Sequence, residues 1–188
     1  MIKIGITGSL ASGKTTASKI LSKKRGPLFN ADKVVKNLYK NKKFKKLLSK
    51  RFNIKNNSHI KINLKKILFD NKKNLKKLEK IIHPKVRDHM KKFTNKYKNK
   101  KLLFYEIPLL IESRLMNYFN IIIFIKAERD TRIKRFKLKK GNKKIFNLLD
   151  KKQLKDNKKI KFCDHVVVNE KNLKIFKKDL SDIISKYE

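Results

Sequence analysis

The feature that most limits the fold of this chain is the segment at residues 8–15, which reads GSLASGKT. It matches the pattern G-x-x-x-x-G-K-[ST], in which glycines let the backbone turn tightly around phosphate oxygens. The apolar residues 2–7 before it predict a buried strand, and residues 16–21 after it predict the start of a helix. This strand–loop–helix context predicts an α/β fold that binds a polyphosphate at residues 8–15.

The residue types of this loop predict how it would bind a nucleotide. Lys14 is long enough to reach the β- and γ-phosphates, and the Thr15 hydroxyl is placed to ligate Mg²⁺. The N-terminus of the following helix adds a partial positive charge. The predicted ATP-binding residues of the loop are Gly8, Ser9, Leu10, Ala11, Ser12, Gly13, Lys14, Thr15 and Thr16.

Five short apolar runs predict strands, at residues 2–7, 28–31, 102–107, 121–125 and 166–168. Lysine-rich segments of helical period separate them, so we expect a parallel sheet covered by helices on both faces, a three-layer α/β sandwich. Residues 33–99 contain no convincing strand and predict a helical insertion. Pro84 is expected to start a new helix there, because proline is tolerated in the first helical turn.

The composition is extremely basic, with 54 lysines and arginines against 15 acidic residues and a net charge of +39. One interpretation is a nucleic-acid-binding surface. Lysine, however, is spread along the whole chain, and isoleucine, asparagine and phenylalanine are also abundant, which favours biased nucleotide composition as the cause. Aromatic residues are not interleaved with basic ones in a stacking pattern. We therefore expect no specific nucleic-acid partner.

The chain has one cysteine, Cys163, so no internal disulfide is possible and a reducing cytoplasmic setting is expected. The N-terminus leads directly into the first predicted strand, which leaves no room for a cleaved signal. The longest apolar runs, such as residues 121–125, are far shorter than a membrane span. These features predict a cytoplasmic protein without a membrane partner.

Two carboxylates lie near the ends of predicted strands, where open α/β sheets bind their ligands. Asp32 could accept a proton from an acceptor hydroxyl, or it could be an ordinary helix N-cap. Glu106 could orient water or Mg²⁺ near the phosphates, or it could be an exposed residue at a strand end. His83 precedes a proline and could contact a substrate or serve in packing. Position alone does not decide between these alternatives.

Three arginines, Arg129, Arg132 and Arg135, recur every third residue after the fourth predicted strand. The arginine fork suits phosphate oxygens, so these residues could belong to a lid that closes over ATP and excludes water. The alternative is a solvated basic helix, which is common in so basic a chain.

Taken together, these segments resemble the dephospho-CoA kinase family over essentially the whole chain. The phosphate loop alone is shared by many nucleotide enzymes, whereas the His-Pro and Pro-Leu-Leu-x-Glu elements in this order are far more discriminating. The matching elements are the loop from Thr7 to Thr16, Asn30-Ala31-Asp32, Leu78-Glu79 with His83-Pro84, Pro108-Leu109-Leu110-Ile111-Glu112, and Gln153 with Lys159, Asp164 and Asn169.

The resemblance implies a P-loop kinase-like fold and ATP-dependent phosphorylation of the ribose 3′-hydroxyl of dephospho-CoA, the last step of coenzyme A synthesis. It implies one domain over 1–188, with a CoA-binding insertion at 33–99 and a lid at 128–158, acting as a monomer with Mg²⁺. Asp32 would be the general base, Lys14 and Arg135 further catalytic residues, Thr15 the metal ligand, and Asn169 a neighbour of the adenine. The implied substrate-binding residues are Asp32, His83, Pro84, Arg87, Pro108, Leu109, Leu110, Glu112 and Lys159.

The chain departs from the family pattern at several positions. Ser9 and Ala11 replace loop glycines, and we expect a negative φ at Ala11, because a Cβ atom penalises left-handed backbone. Asn30 replaces the first aspartate of its element, so the help of that charge is expected to be lost. Lys139 stands in place of a second lid arginine and supplies charge without a bidentate fork.

Two alternatives to this function stay open at the level of sequence. One is a P-loop kinase for a nucleoside monophosphate or small metabolite, against which the His-Pro and Pro-Leu-Leu-x-Glu elements argue. The other is a nucleic-acid-binding protein that uses the loop only as a switch. Non-specific binding caused by net charge alone would weaken steeply with salt, whereas dedicated binding would survive it.

Overall fold

The computed structural model describes residues 1–54, 60–69, 71–170 and 172–188. Strands and helices alternate along these residues. The strands are β1 (Ile2–Gly8), β2 (Leu28–Asn30), β3 (Leu102–Glu106), β4 (Ile121–Lys126) and β5 (His165–Val168). The helices are α1 (Lys14–Ser22), α2 (Ala31–Leu38), α3 (Lys42–Phe52), α4 (Ile60–Phe69), α5 (Lys72–Lys96), α6 (Arg129–Leu138), α7 (Lys143–Lys151), α8 (Asp156–Ile160) and α9 (Leu173–Ile184), with a short 3-10 helix at Met116–Tyr118.

The five strands form one sheet in the order β2-β3-β1-β4-β5, and every neighbouring pair is parallel. The predicted parallel α/β sheet is therefore confirmed, with each strand within one or two residues of its expected bounds. In the sheet register Glu106 at the end of β3 lies opposite Asn30 of β2 and Ile6 of β1. The carboxyl ends of these central strands thus meet beside the loop that follows β1.

The first of two compact units comprises Met1–Asn30 and Thr94–Glu188. Its core is built by apolar side chains of β1, β3, β4 and β5 packed against helices α1 and α9. Burying one such side chain contributes roughly 1.5–3 kcal/mol to the free energy of folding. This core therefore fixes the two elements, β1 and α1, that flank the loop. Its fully or nearly fully buried members include Ile4, Ile6, Ala17, Leu21, Phe104, Ile123, Ile125, Phe176 and Leu180.

The second unit comprises residues Ala31–Phe93 and is helical. The Asn41 side chain begins α3 as an N-cap, since its Oδ1 accepts a hydrogen bond from the Phe44 backbone N–H at 3.1 Å. The unit has a core of its own, so burial of apolar surface stabilises it independently of the sheet. That core contains Phe44, Leu48, Phe52, Ile54, Ile60, Leu64 and Leu78.

The prediction that Pro84 starts a new helix is wrong, because Pro84 lies inside the continuous helix α5. A proline in a helix interior removes one backbone hydrogen bond and disfavours the turn before it. Here the apolar face continues across the proline at four-residue spacing, with Leu78, Val86 and Met90 all buried. Packing of this face outweighs the local preference for a break.

None of the described helices is both long enough and apolar enough to cross a lipid bilayer.

Candidate active site

The loop between β1 and α1 depends on glycine at both ends. Gly8 has φ 149°, and a Cβ there would lie 2.4 Å from the carbonyl oxygen of Ile125. Gly13 has φ 102°, and a Cβ there would lie 2.1 Å from the Asn169 Nδ2 atom. The backbone conformation therefore disfavours a side chain at both positions, and at Gly8 the neighbouring backbone leaves no space for one.

Ala11 contradicts the expectation of a negative φ, since its φ is +59°. The loop bends through the left-handed region at this residue, where a Cβ atom costs roughly 1–2 kcal/mol. Alanine in place of the family's glycine thus keeps the left-handed backbone at this residue and bears the strain. The strain is stored directly before the residues that would contact phosphate.

Lys14 and Thr15, the two residues predicted to serve the phosphates and the metal, begin helix α1. The Lys14 side chain is 9% exposed, and its Nζ donates a hydrogen bond to the Ser9 carbonyl oxygen at 2.7 Å. The Thr15 Oγ1 donates to Glu106 Oε1 at 2.5 Å. Both side chains are held in position by groups of the same unit.

Glu106 is the buried carboxylate of this site, with 2% of its surface exposed. Besides the bond from Thr15, its Oε2 accepts hydrogen bonds from Ser18 Oγ at 3.0 Å and from Asn30 Nδ2 at 2.6 Å. The alternative of an exposed strand-end glutamate is therefore wrong. Three neutral donors stabilise a charge that would be costly to bury alone, and one of them is the predicted metal ligand.

The three arginines of α6 have three different environments. Arg129 is exposed and donates to Asn147 Oδ1 at 2.6 Å. Arg135 is half-buried and donates to the carbonyl oxygen of Asn169 at 2.8 Å and to that of Ser12 at 3.4 Å.

Arg132 is 7% exposed and pairs with Asp150 Oδ1 at 2.6 Å. Its guanidinium also reaches the Leu10 carbonyl oxygen at 3.4 Å. A merely solvated basic helix is therefore excluded for Arg132 and Arg135, which contact the phosphate loop through its carbonyl groups.

A cavity of about 360 Å³ lies beside the loop, between it and the residues that follow β5. Asn169 lines it and is 8% exposed, with its Nδ2 donating to the Ser12 carbonyl oxygen at 2.8 Å. Apolar side chains of α9 form part of its wall, a feature suited to the flat face of a base. The lining residues are Ala11, Gly13, Thr16, Arg135, Leu138, Lys139, Asn169, Leu173 and Phe176.

The Pro-Leu-Leu-x-Glu element follows β3 as a turn segment. Thr7 Oγ1 donates to the Pro108 carbonyl oxygen at 3.2 Å, which ties the segment to the strand before the loop. Leu110 has no exposed surface, whereas Pro108 and Leu109 are half-buried. A side chain with no exposed surface cannot contact a ligand without rearrangement, so Leu110 supports this segment from within.

Glu112 and Lys159 are brought together by the fold. Lys159 is 0% exposed, and its Nζ lies 3.3 Å from Glu112 Oε1, which also accepts a hydrogen bond from the Leu154 backbone N–H at 3.2 Å. A lysine charge buried this completely requires such a partner. The pair therefore connects the turn segment after β3 with helix α8.

The remaining sequence candidates belong to the second unit. Helix α2 begins at Ala31, so Asp32 lies in its first turn, exposed to solvent, and is not the N-cap. His83 and Arg87 are one turn apart on α5, and Arg87 and Pro84 are exposed. Burial lowers the pKa of His83, with Glu79 raising it and Arg87 lowering it further, so the imidazole is neutral at pH 7.

The structure also shows contacts that sequence reasoning did not identify. Gln153 and Asp156 bind the phosphate loop at Leu10 and Ser9, and Leu173 and Phe176 line the cavity. Gln153 belongs to the same family element as Asn169, whereas the other three residue types carry no local signal. Gln153 and Asp156 reach the loop from more than 140 positions away in sequence. For Asn169 the signal was a family motif.

Comparison with protein families is consistent with this geometry. The model of the dephospho-CoA kinase family matches residues 2–174. A dephospho-CoA kinase of Fusobacterium nucleatum is 34% identical over 181 residues, covering 93% of each chain. The dephospho-CoA kinase of Rickettsia typhi is 31% identical over 195 residues, covering 100% of this chain and 98% of its own.

Solved structures support the same fold. A Thermus thermophilus protein superposes with a TM-score of 0.86 at 24% identity, covering 100% of this chain and 98% of its own. Dephospho-CoA kinase from Campylobacter jejuni gives a TM-score of 0.63 at 23% identity, with 99% and 97% coverage. Shikimate kinase from Bacteroides thetaiotaomicron gives 0.53 at 13% identity, with 98% of both chains covered, which places the chain among P-loop kinase folds.

Proposed function

The chain belongs to the dephospho-CoA kinase family, and we propose that its own loop, strand ends and helix α6 carry out the phosphoryl transfer of that family. The reaction is the phosphorylation of dephospho-CoA by ATP, the last step of coenzyme A synthesis. The acceptor atom we propose is the ribose 3′-hydroxyl. Transfer of a phosphoryl group demands little covalent chemistry from the protein, so its residues act mainly by positioning and by charge.

ATP binds through the loop and the cavity beside it. The backbone of residues 8–13 surrounds the phosphates, and Lys14 exchanges its hydrogen bond with the Ser9 carbonyl for one with a phosphate oxygen. The adenine lies in the cavity between Asn169 and the apolar side chains of α9. Arg135, already at the loop carbonyl of Ser12, is close enough to contribute charge to the phosphates.

Thr15 and Glu106 fit a magnesium ion that arrives with ATP. A hydroxyl and a carboxylate oxygen 2.5 Å apart form an all-oxygen donor pair, the type that Mg²⁺ prefers. Mg²⁺, when bound, neutralises charge on the β- and γ-phosphates. Thr15 would ligate it directly, and Glu106 would hold the Thr15 hydroxyl and the ion's water in place.

Asp32 is proposed as the general base that accepts the proton of the acceptor hydroxyl. Its side chain is exposed and therefore accessible to a substrate. His83, Pro84 and Arg87 would contribute to binding the CoA moiety, with Arg87 available for its phosphates.

The turn segment after β3 would also help to hold dephospho-CoA. Pro108 and Leu109 supply the accessible surface of that segment. Leu110, Glu112 and Lys159 keep it in position from the buried side. Residues 128–158 are proposed as a lid, which would exclude water once both substrates are bound.

The observation that carries this proposal is the connection of Lys14 and Thr15 to Ser9 and Glu106, in a chain whose residues 2–174 match the family. The test is ADP release by purified protein with ATP and Mg²⁺, with and without dephospho-CoA. We expect strong stimulation by dephospho-CoA, and ³¹P NMR of the product should show a new 3′-phosphomonoester.

Nucleoside monophosphates and small alcohols serve as competing acceptors in the same assay, and Lys14→Ala serves as the inactive control. Turnover with one of these acceptors, and none with dephospho-CoA, would contradict the proposed substrate.

We further propose that the protein is a cytoplasmic enzyme and acts as a monomer. A single cysteine fits a reducing cytoplasm. Burial raises the pKa of the Cys163 thiol to about 12, which leaves it protonated and unreactive at neutral pH. Light scattering of the purified protein at several salt concentrations tests the oligomeric state.

A further inference from the structure

The segment at residues 150–156, which joins α7 to α8, contacts the outer bend of the phosphate loop at two consecutive residues. The Asp156 carboxylate accepts a hydrogen bond from the Ser9 hydroxyl. Gln153 Oε1 accepts a hydrogen bond from the Leu10 backbone N–H at 3.1 Å. Asp150 holds Arg132, which donates to the Leu10 carbonyl oxygen at 3.4 Å. We call residues 150–156 the clamp segment.

These contacts occupy both backbone polar groups of Leu10 and the side chain of Ser9. Ser9 is 2% exposed, and its carbonyl oxygen accepts the Lys14 ammonium at 2.7 Å. Asp156 is thereby connected, through one residue, to the side chain that reaches for the phosphates. The clamp segment thus fixes the loop at Ser9 and Leu10.

Electrostatics gives Asp156 no reason to contact ATP directly. A carboxylate close to a triphosphate repels it, so by charge alone Asp156 would weaken nucleotide binding. Its hydrogen bond to Ser9, in contrast, restricts a loop whose amides must be pre-arranged for a charged ligand. Asp156 would therefore favour ATP binding by holding the loop in position, and not through its charge.

We propose that Ser9, Gln153 and Asp156 are positioning residues that hold the phosphate loop in its ATP-binding conformation before ATP arrives. In this chain a serine stands in the loop where the family pattern has glycine, and its hydroxyl supplies the contact that glycine lacks. The inference rests on the proposed function only in assuming that ATP binds this loop.

A double-mutant cycle tests the proposal through the affinity for MgATP, measured by calorimetry without acceptor. Ser9→Gly and Asp156→Ala should each weaken binding about five- to tenfold, the size expected for the net contribution of one ordinary hydrogen bond. The double variant should be no weaker than either single variant, because both remove the same contact. Asp156→Asn keeps an acceptor without the charge and should bind MgATP within about twofold of the native protein.

Three further measurements separate positioning from general loss of structure. KM for ATP should rise in the Ser9→Gly and Asp156→Ala variants while KM for dephospho-CoA changes little. Hydrogen exchange of the amides at residues 9–13 should become faster. Lys152→Ala, an exposed position of the same segment, is the matched control and should bind MgATP normally.

The clamp is overturned if Ser9→Gly and Asp156→Ala bind MgATP like the native protein, if their effects multiply in the double variant, or if Asp156→Asn is as weak as Asp156→Ala. Ser9→Gly removes only a hydroxymethyl group, so it keeps the test decisive should Asp156→Ala fold poorly. If the native protein itself bound no MgATP, the proposed function would fail instead.

Discussion

The two compact units of this molecule present their functional candidates in opposite ways. In the unit formed by residues 1–30 and 94–188, Lys14, Glu106 and Arg132 are at most 9% exposed, and each has a defined partner. In the unit formed by residues 31–93, Asp32 and Arg87 are exposed to solvent. The predicted nucleotide-binding residues named here are buried, whereas these two acceptor-binding candidates of the second unit lie at the surface. The acceptor-binding candidates Leu110 and Lys159 of the first unit are buried as well.

This difference has a physical reason. A triphosphate carries a high charge, and binding it in a partly dry site requires dipoles and cations that need little reorganisation. Other parts of the protein must hold these dipoles and cations in place, so the arrangement is visible in a structure without a ligand. A large flexible acceptor is bound mainly through the surface area that it buries. Residues that contact it can therefore stay solvated until it binds. The predictions below test whether the two units divide the work in this way.

The largest effect is expected for Lys14→Ala in the first unit. The substitution removes the cation that neutralises the transferring phosphoryl group, and kcat/KM should fall by about a thousandfold or more. Calorimetry should show weakened MgATP binding, and the thermal unfolding midpoint should stay close to that of the native protein. Near-normal turnover would show that the ammonium of Lys14 does not act on the phosphates.

Asp32→Asn in the second unit should lower kcat by about a hundredfold or more, because no carboxylate remains to take the proton from the substrate hydroxyl. The affinity for MgATP should hardly change, and this contrast with Lys14→Ala is what separates the two units. Stopped-flow measurement of single turnovers gives the rate of the chemical step. If Asp32→Asn keeps normal turnover, the carboxylate is not the general base.

Glu106→Gln should have a smaller effect, about a tenfold loss of Mg²⁺-dependent ADP affinity, since one charge of the proposed metal site is removed. Asn30 Nδ2 lies 2.6 Å from Glu106 Oε2, so Asn30→Asp combined with Glu106→Gln returns a carboxylate to almost the same place. We expect this double variant to recover part of the lost affinity. Electron paramagnetic resonance of bound Mn²⁺ measures the site directly.

In Asn30→Asp alone, two carboxylates would be neighbours, and repulsion would lower stability as pH rises and both ionise. Equal metal affinity in all four proteins would remove Glu106 from the proposed metal site.

The smallest effect is expected for Ala11→Gly, which relieves the left-handed strain in the loop. The gain of about 1–2 kcal/mol from the lost strain is partly offset by the greater freedom of glycine in the unfolded chain, about 0.5–1 kcal/mol. A net rise of the unfolding midpoint by about 2 °C should be visible by calorimetry. A lower midpoint would show that φ at residue 11 is not strained.

What could be predicted from the sequence follows a different division, between local features and those that depend on distant residues. The strands and the loop were predictable, because apolar runs of five residues and a fixed glycine spacing report local requirements directly. The sequence does not decide whether Glu106 is a buried site residue or an exposed one. Its burial depends on hydrogen-bond donors from other elements, namely Thr15, Ser18 and Asn30.

Two local rules failed for identifiable reasons. Pro84 was expected to begin a helix, but the apolar face of α5 continues past it. A negative φ is the sequence expectation for Ala11, but its φ is +59°. At Pro84 tertiary packing outweighs a backbone preference of about 3 kcal/mol, and at Ala11 the loop retains a conformation that costs about 1–2 kcal/mol.

The hydrogen bond from Asn169 to the Ser12 carbonyl joins residues 157 positions apart. The cavity that we propose for the adenine is therefore incomplete until strand β5 has joined the sheet. A chain still being made on the ribosome has its phosphate loop almost from the start, yet it lacks a complete ATP site until nearly all of it has emerged. If the proposed function holds, ATP meets its complete site only in a finished molecule.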